Sequence, residues 1–354
     1  MKIAQIAPLN EAVPPVMYGG TERIVAVLAD TLVRKGHDVT LFASGDSHTL
    51  ARLHVCRDRA LRLDPTLLKS ALAAHFVMFD ELQQRAGEFD VLHFHTDILH
   101  FPFFERIAAK TLTTLHGRLD ISDLPAAFRR WWQYPLVSIS DAQREPLPGA
   151  NWAGTVWHGL DPAHYTFTAT PRAGYLAFLG RISPEKRPDR AIAIARQAGI
   201  PLQMAAKVDD VDKHYFRQVI KPLLTGGGVE FIGEISDRQK ADFLGQACAL
   251  LFPIDWPEPF GLVMIEAMAC GTPVIAWRRG SVAEIIEPGI TGSIVENEAQ
   301  AVAACREAAA LDRYRVRARF ERRFSASAMA EDYLQLYRRL LPPAANTEAL
   351  DLQA

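Results

Sequence analysis

The stretch "EPFGLVMIEAMACGTPVIA", Glu258–Ala276, decides the fold. A Pro-Phe-Gly turn opens it, an apolar run rich in small residues follows, and Gly-Thr-Pro leads into a Val-Ile-Ala segment. The pattern predicts a helix starting near Pro259 and then a short strand over 272–277 that is buried on both faces. Two carboxylates mark that helix, Glu258 at its mouth and Glu266 about two turns in. At 1.5 Å per residue they stand about 10–12 Å apart.

Outward from this point the chain alternates between strand-like and helix-like segments. Towards the N-terminus lie "GYLAFLG" (174–180), "LQMAAK" (202–207), "VEFIG" (229–233) and "ALLFPI" (249–254), and "GSIV" (292–295) adds a last strand. An earlier series reads "KIAQIAP" (2–8), "DVTLFAS" (38–44), "FDVLHFH" (89–95), "TLTTLH" (111–116), "LVSIS" (136–140) and "GTVWHG" (154–159). In "GGTERIVAVLADTLVRKGH" (19–37), Ile24, Val27, Leu28 and Leu32 share one helical stripe, and Gly36 follows as a stop. Alternation of this kind means βαβ units and parallel sheets. The fold class is α/β, with two Rossmann-like domains whose parallel sheets face a central cleft. The expected boundaries are 1–160 for the first domain, 161–173 for a polar linker and 174–325 for the second domain. A C-terminal helix over 326–341 packs back on the first domain, and 342–354 is a frayed tail.

Composition excludes several classes. The 354 residues are 49% hydrophobic and 23% charged with a formal net charge of −2, so nothing suggests a nucleic-acid partner or a membrane-docking surface. No apolar run is long enough to span a bilayer, and the N-terminus lacks the apolar core of a signal peptide. Four separated cysteines (Cys56, Cys248, Cys270, Cys305) read as free thiols, and the expected location is the cytoplasm.

No dinucleotide or Walker fingerprint follows any strand. Two helix starts nonetheless suit an anion: Gly19-Gly20 before the first helix, and the Pro-Phe-Gly before Glu266. In "GRISPEKRPD" (180–189), Arg181 and Lys186 project from a loop after a strand, where fixed cations would neutralise a departing diphosphate. The Glu258–Glu266 separation equals the reach of a nucleotide-sugar from ribose to sugar ring. Each feature has a plain structural alternative: a turn, a helix cap or a solvated face. His93, His95 and His100 offer a conceivable zinc site that no Cys or carboxylate cluster completes. "DDVD" (209–212) reads as acidic residues at a helix start, and "FRRWWQYP" (128–135) as a packed surface loop.

Together the motifs "GRISPEK", "EFIGEIS" and "EPFGLVMIEAMACGTPVIA" resemble the retaining nucleotide-sugar glycosyltransferases of the GT-B fold, family 4. "GGTERIVAVLADTLVRKGHDVTLF", "DVLHFH", "LHG" and "VSIS" fall in the family's order. The resemblance implies hexosyl transfer from a nucleoside-diphosphate sugar, a UDP-sugar such as UDP-glucose above others, to an acceptor hydroxyl on a small molecule, glycan or lipid. The nucleotide-sugar is a co-substrate, and neither a separate cofactor nor a metal is implied. Arg181 and Lys186 would stabilise the leaving diphosphate, Glu258 would contact the transferred sugar, and Glu266 would hold the ribose. Phe260, Gly261 and Leu262 would offer N–H groups to sugar and phosphate. Gly19 and Gly20 would approach the diphosphate from the opposite domain, His116 would face the sugar ring, and Ile235 would meet the base. An epimerase on the same fold and a non-catalytic nucleotide-sugar-binding module are the alternatives. Two positions depart from the family pattern: Ser281 stands for a glycine, and His158 for an asparagine.

Overall fold

The computed structural model describes residues 1–16, 19–172 and 174–341. Among them, the first sheet holds seven parallel strands, β1 (Lys2–Ile6), β2 (Asp38–Ser44), β3 (Arg52–Arg57), β4 (Val91–Phe94), β5 (Thr111–Thr114), β6 (Leu136–Ser138) and β7 (Trp152–Thr155). Their order is β3-β2-β1-β4-β5-β6-β7. The second sheet holds six, β8 (Leu176–Arg181), β9 (Leu202–Lys207), β10 (Val229–Gly233), β11 (Ala249–Phe252), β12 (Val274–Trp277) and β13 (Gly292–Val295). These run β10-β9-β8-β11-β12-β13, again all parallel. Each order reverses once, between β1 and β4 and between β8 and β11. Crevices at such reversals, beyond the strands' carboxyl ends, are where open α/β sheets bind ligands.

β1 beyond Lys2 and all of β4 are buried because both faces of the sheet are covered, so they read as short, mostly apolar runs interrupted only by Gln5 and His93. β3 escapes that pattern. It is an edge strand with partly exposed residues, and its "RLHVCR" carries charge that a buried strand would exclude. The expected strand at 154–159 is displaced: β7 stops at Thr155, and Trp157 and His158 instead line the crossing between domains.

The chain crosses twice, and the two crossings touch. Leu160 bridges to Ser325, and a Cβ on Gly159 would stand 2.4 Å from the Ser325 carbonyl oxygen. Only glycine lets the strands of the crossing lie that close. The segment between the domains is no loose tether. Tyr165 is buried, and Thr168 donates its N–H to the Cys270 carbonyl at 3.1 Å. The final helix, Ala326–Leu340, buries Tyr333 and Tyr337 against the first domain's strands and first helix. One continuous core runs through both domains and includes Leu28, Ile265, Phe260 and Phe324. No described helix is long and apolar enough to cross a membrane.

Candidate active site

A cleft of about 850 Å³ opens between the sheets. All eleven residues singled out in the sequence line it: Gly19, Gly20, His116, Arg181, Lys186, Ile235, Glu258, Phe260, Gly261, Leu262 and Glu266. They arrive on separate loops. Gly19 and Gly20 follow β1, His116 follows β5, Arg181 ends β8, Ile235 follows β10, and 258–262 follow β11.

The helix after β11 begins at Leu262, three residues later than expected. Gly261 is left-handed at φ +80°, and Pro259 has no N–H to give, so regular structure starts only beyond them. Glu258 therefore sits in the preceding loop, and Glu266 lies in the helix's second turn. Both are buried, at 8% and 3% exposure, which rules out solvated-face roles.

Lys186 donates to Glu258 Oε2, which also accepts from Trp256 Nε1 at 3.1 Å. The Lys186 ammonium rests 4.9 Å from the Trp256 ring centroid. Its loop is a turn in which the Ser183 carbonyl accepts the N–H groups of Lys186 and Arg187. Arg181 faces Asp212 at 3.3 Å and Asp209 at 3.8 Å. The "DDVD" acids thus serve to hold this guanidinium rather than only to begin a helix.

Glu266 Oε1 accepts from Lys240 Nζ at 3.1 Å and from the Tyr165 hydroxyl at 3.2 Å. Burial by itself would raise this carboxyl, but the charges of Lys240 and Arg23 and these two hydrogen bonds outweigh it and hold it below the usual range. Glu266 is thus an anion inside the protein. Lys240, Arg23, Tyr165 and Trp256 were not legible as site residues. Tyr165 lay in a segment read as linker, and Lys240 in a helix whose visible signal was its Ser236–Gln239 capping box.

Loop geometry also explains the two departures. Gly280 is left-handed at φ +51°, and a Cβ there would lie 2.3 Å from the Glu258 carbonyl oxygen and 2.5 Å from its nitrogen. Ser281, at φ −68°, needs no glycine; its hydroxyl donates to the Phe260 carbonyl at 2.8 Å and its N–H to Glu258 O at 3.0 Å. Gly280→Ala is expected to displace Glu258, lowering stability by about 1–3 kcal/mol and turnover by up to about 10²-fold. Ser281→Gly should change turnover far less, and assaying both variants side by side checks the assignment. His158 stacks on His116 with ring centroids 5.2 Å apart and packs against Phe260 at 4.8 Å.

A buried polar chain supports His116 from behind. His116 Nε2 lies 2.8 Å from His95 Nδ1, and His95 Nε2 lies 2.9 Å from Gln5 Oε1. Gln5 Nε2 donates to the Tyr337 hydroxyl at 2.9 Å, which meets His93 Nδ1 at 2.7 Å. His93 Nε2 reaches Thr114, and Thr114 reaches Tyr333. Since the Gln5 amide oxygen must accept, His95 carries its proton on Nε2, and His116 therefore donates from Nε2. Its Nδ1, buried and without a partner among the described residues, is left as an acceptor at the cleft. Burial drives the His116 pKa down to about 3, so the ring is neutral.

The three histidines of "HFHTDILH" do not gather around a metal. His100 stacks on Phe94 at 3.7 Å and lies 3.0 Å from the Thr113 hydroxyl, while His93 and His95 belong to the chain above. One described trio, His54, Cys56 and Glu81, has donor atoms within metal-binding reach. Arg85 Nη1 stands 2.9 Å from His54 Nδ1, and His54 Nε2 stands 3.1 Å from Glu81, so both ring nitrogens are already occupied. In "FRRWWQYP", Tyr134 is buried and Trp132 stands 70% exposed.

Two facing parallel α/β sheets with acidic and basic loops converging between them form the GT-B architecture, and the family matches make the chain a glycosyltransferase, an enzyme class that uses a nucleotide-sugar donor and an acceptor. The family model described as Glycosyl transferases group 1 matches residues 169–324, and that described as Glycosyltransferase Family 4 matches residues 18–144. The chain belongs to glycosyltransferase family 4. It is 26% identical over 340 residues to the phosphatidyl-myo-inositol mannosyltransferase of Mycolicibacterium smegmatis, covering 83% of this chain and 81% of that protein. AviGT4, a glycosyltransferase involved in Avilamycin A biosynthesis, superposes with a TM-score of 0.72 at 26% identity, covering 97% and 99% of the two chains. Anabaena Alr3699/HepE in complex with UDP and glucose superposes at 0.72 with 18% identity, covering 96% and 100%.

Proposed function

We propose that the protein transfers a hexose from a UDP-sugar, UDP-glucose first among candidates, to an acceptor hydroxyl with retention of anomeric configuration and without a metal. The observation that carries this proposal is the convergence of Arg181, Lys186, Glu258 and Glu266 on one cleft that Gly19, Gly20 and His116 close from the other side. The HepE structure holds UDP and glucose in the same fold, which supports the choice of donor.

In this reading Glu266 accepts the ribose hydroxyls. A carboxylate that is already ionised and fixed by Lys240 and Tyr165 needs no reorganisation to do so. Arg181, Lys186 and the unpaired N–H groups of the helix start at Leu262 meet the diphosphate, a role that two fixed cations fill without a metal ion. Gly20 stands across from Leu262, close enough that a Cβ would touch its Cδ1 at 3.5 Å, so the phosphates would be enclosed from both domains. His116 Nδ1 accepts a hydroxyl of the transferred sugar.

In this reading neither buried carboxylate is the nucleophile; Lys186 and Trp256 hold Glu258 by Oε2, and Lys240 and Tyr165 hold Glu266 by Oε1. Same-face substitution fits that arrangement. The bond from the anomeric carbon to phosphate breaks as the acceptor oxygen bonds to that carbon, and the acceptor's proton passes to the leaving phosphate. With UDP-α-glucose and water as acceptor, in EDTA, the sugar first seen by proton NMR should be α-glucose. First formation of β-glucose would overturn retention, and dependence on added divalent metal would overturn the metal-free site.

A further inference from the structure

We infer that Asp97 is the acceptor-positioning residue of the cleft, and that the acceptor is an uncharged polyhydroxyl compound whose non-reacting hydroxyl groups donate hydrogen bonds to its carboxylate. This rests on the glycosyl-transfer reading above.

Asp97 follows β4, the strand beside the reversal of the first sheet, and lines the cleft from the first domain. Its backbone is left-handed at φ +48°, a conformation that few non-glycine residues adopt, Asp more readily than most, and that recurs at functional sites. Its carboxyl has no hydrogen bond or ion pair among the described residues, whereas Glu258 and Glu266 in the same cleft are each held by a lysine. The residue is exposed at the open cleft, and the protein packed around the cleft raises its carboxyl to about 6. A carboxylate that lines an open cleft and has no protein partner is hydrogen-bonded by water there and is free to exchange that water for a ligand's donors.

The neighbouring wall selects the ligand's charge. Arg62 is paired with Glu11 at 2.9 Å, and Arg118 with Asp120 at 2.7 Å and Glu185 at 2.9 Å. His75 is committed on both nitrogens, to the Leu9 N–H and the Ala71 carbonyl. Leu72 and Leu99 add apolar surface to the same cleft. Paired cations beside an unpaired carboxylate disfavour a phosphate or carboxylate on the acceptor and favour hydroxyl groups.

The test follows UDP release from UDP-glucose by the parent protein and by Asp97→Asn, with water alone and with high concentrations of glycerol, myo-inositol, glucose, or their monophosphates. Asparagine tolerates the left-handed backbone, and thermal unfolding with UDP confirms that the variant folds and binds nucleotide. At least one neutral polyol should accelerate release by the parent more than its phosphate does. Asp97→Asn should raise the KM for that polyol about tenfold or more, in line with loss of a charge-assisted hydrogen bond, while hydrolysis by water and the KM for UDP-glucose stay unchanged. Preference for the phosphorylated acceptors, no acceleration by any polyol, or full acceleration retained in Asp97→Asn would each overturn the inference. Loss of water hydrolysis in parallel with polyol transfer would make Asp97 structural and overturn it too. A parent protein that releases no UDP under any condition overturns the proposed function itself, an outcome distinct from the others.

Discussion

Replacing Lys186 by alanine is expected to lower turnover by about 10²–10³-fold, equivalent to about 2.7–4 kcal/mol of lost transition-state stabilisation. Lys186 is held between Glu258, Trp256 and Phe252, so its ammonium is already placed before any ligand enters. Charge that grows on a departing phosphate meets a cation that does not have to move, and that preorganisation is what the substitution removes. The fold should survive: the side chain is 22% exposed, and the turn that carries it is made by backbone bonds to Ser183. Glu258 would keep its bond from Trp256 but lose its counter-charge. Initial rates of nucleoside-diphosphate release, read beside thermal unfolding, decide the matter. A folded variant with near-parent turnover would remove Lys186 from the mechanism. Arginine is not a conservative substitute, because its planar fork places its charge and donors differently from the compact ammonium that meets Glu258.

Acid should unfold this protein steeply below pH 6.5. His93, His95, His100 and His158 are buried, and desolvation is the first cause that holds all four pKa values well below the ordinary histidine value. The folded state keeps these rings neutral, whereas the unfolded chain protonates them near pH 6.5. Below that pH the unfolded state therefore binds more protons, and stability falls as pH falls; above it these groups contribute no pH dependence. Each contributes at most about 1.4 kcal/mol per pH unit, and four reach about 5 kcal/mol per unit at the steepest. Asp97, Glu22 and Asp332, whose carboxyls are raised chiefly by desolvation, act in the opposite sense, but three groups do not offset four. Over two pH units this removes up to about 10 kcal/mol, which is of the same order as a total stability of roughly 5–15 kcal/mol. Urea unfolding from pH 7.5 to 4.5 checks this, and a midpoint that stays flat to pH 4.5 would contradict the buried neutral histidines.

How much of this was legible beforehand depends on what each residue answers to. β9, β10 and β13 stand at their expected residues because each is a short run of strand-forming residues bounded by turns, although β10 and β13 are edge strands of their sheet. β3 escapes the pattern because its "RLHVCR" has an arginine at each end and a histidine between, so no apolar run marks it. The charged site residues were visible because loops after parallel strands lead into the crevice, so Arg181 after "YLAFLG" was placed by the strand before it. What stayed hidden is everything set by tertiary contact. Lys240 and Tyr165 reach Glu266 from 26 and 101 positions away, with no local motif to reveal them. The late start of the Leu262 helix hung on the left-handed Gly261, and the pattern alone did not fix that conformation. His158 and Ser281 looked like defects in a motif, yet one stacks on His116 and the other holds the Phe260 carbonyl. The glycine that the loop needs is Gly280.

The central claim is that the protein's own cations and helix starts hold a nucleoside diphosphate. Titration calorimetry with UDP, with and without EDTA, on the parent protein and on Arg181→Ala tests it most directly. UDP is expected to bind in a way that EDTA does not alter, that weakens sharply for UMP and in the Arg181 variant, and that at 100 times the Kd stabilises the fold by about 2.7 kcal/mol. No binding of UDP, or binding only when a divalent ion is supplied, would contradict it.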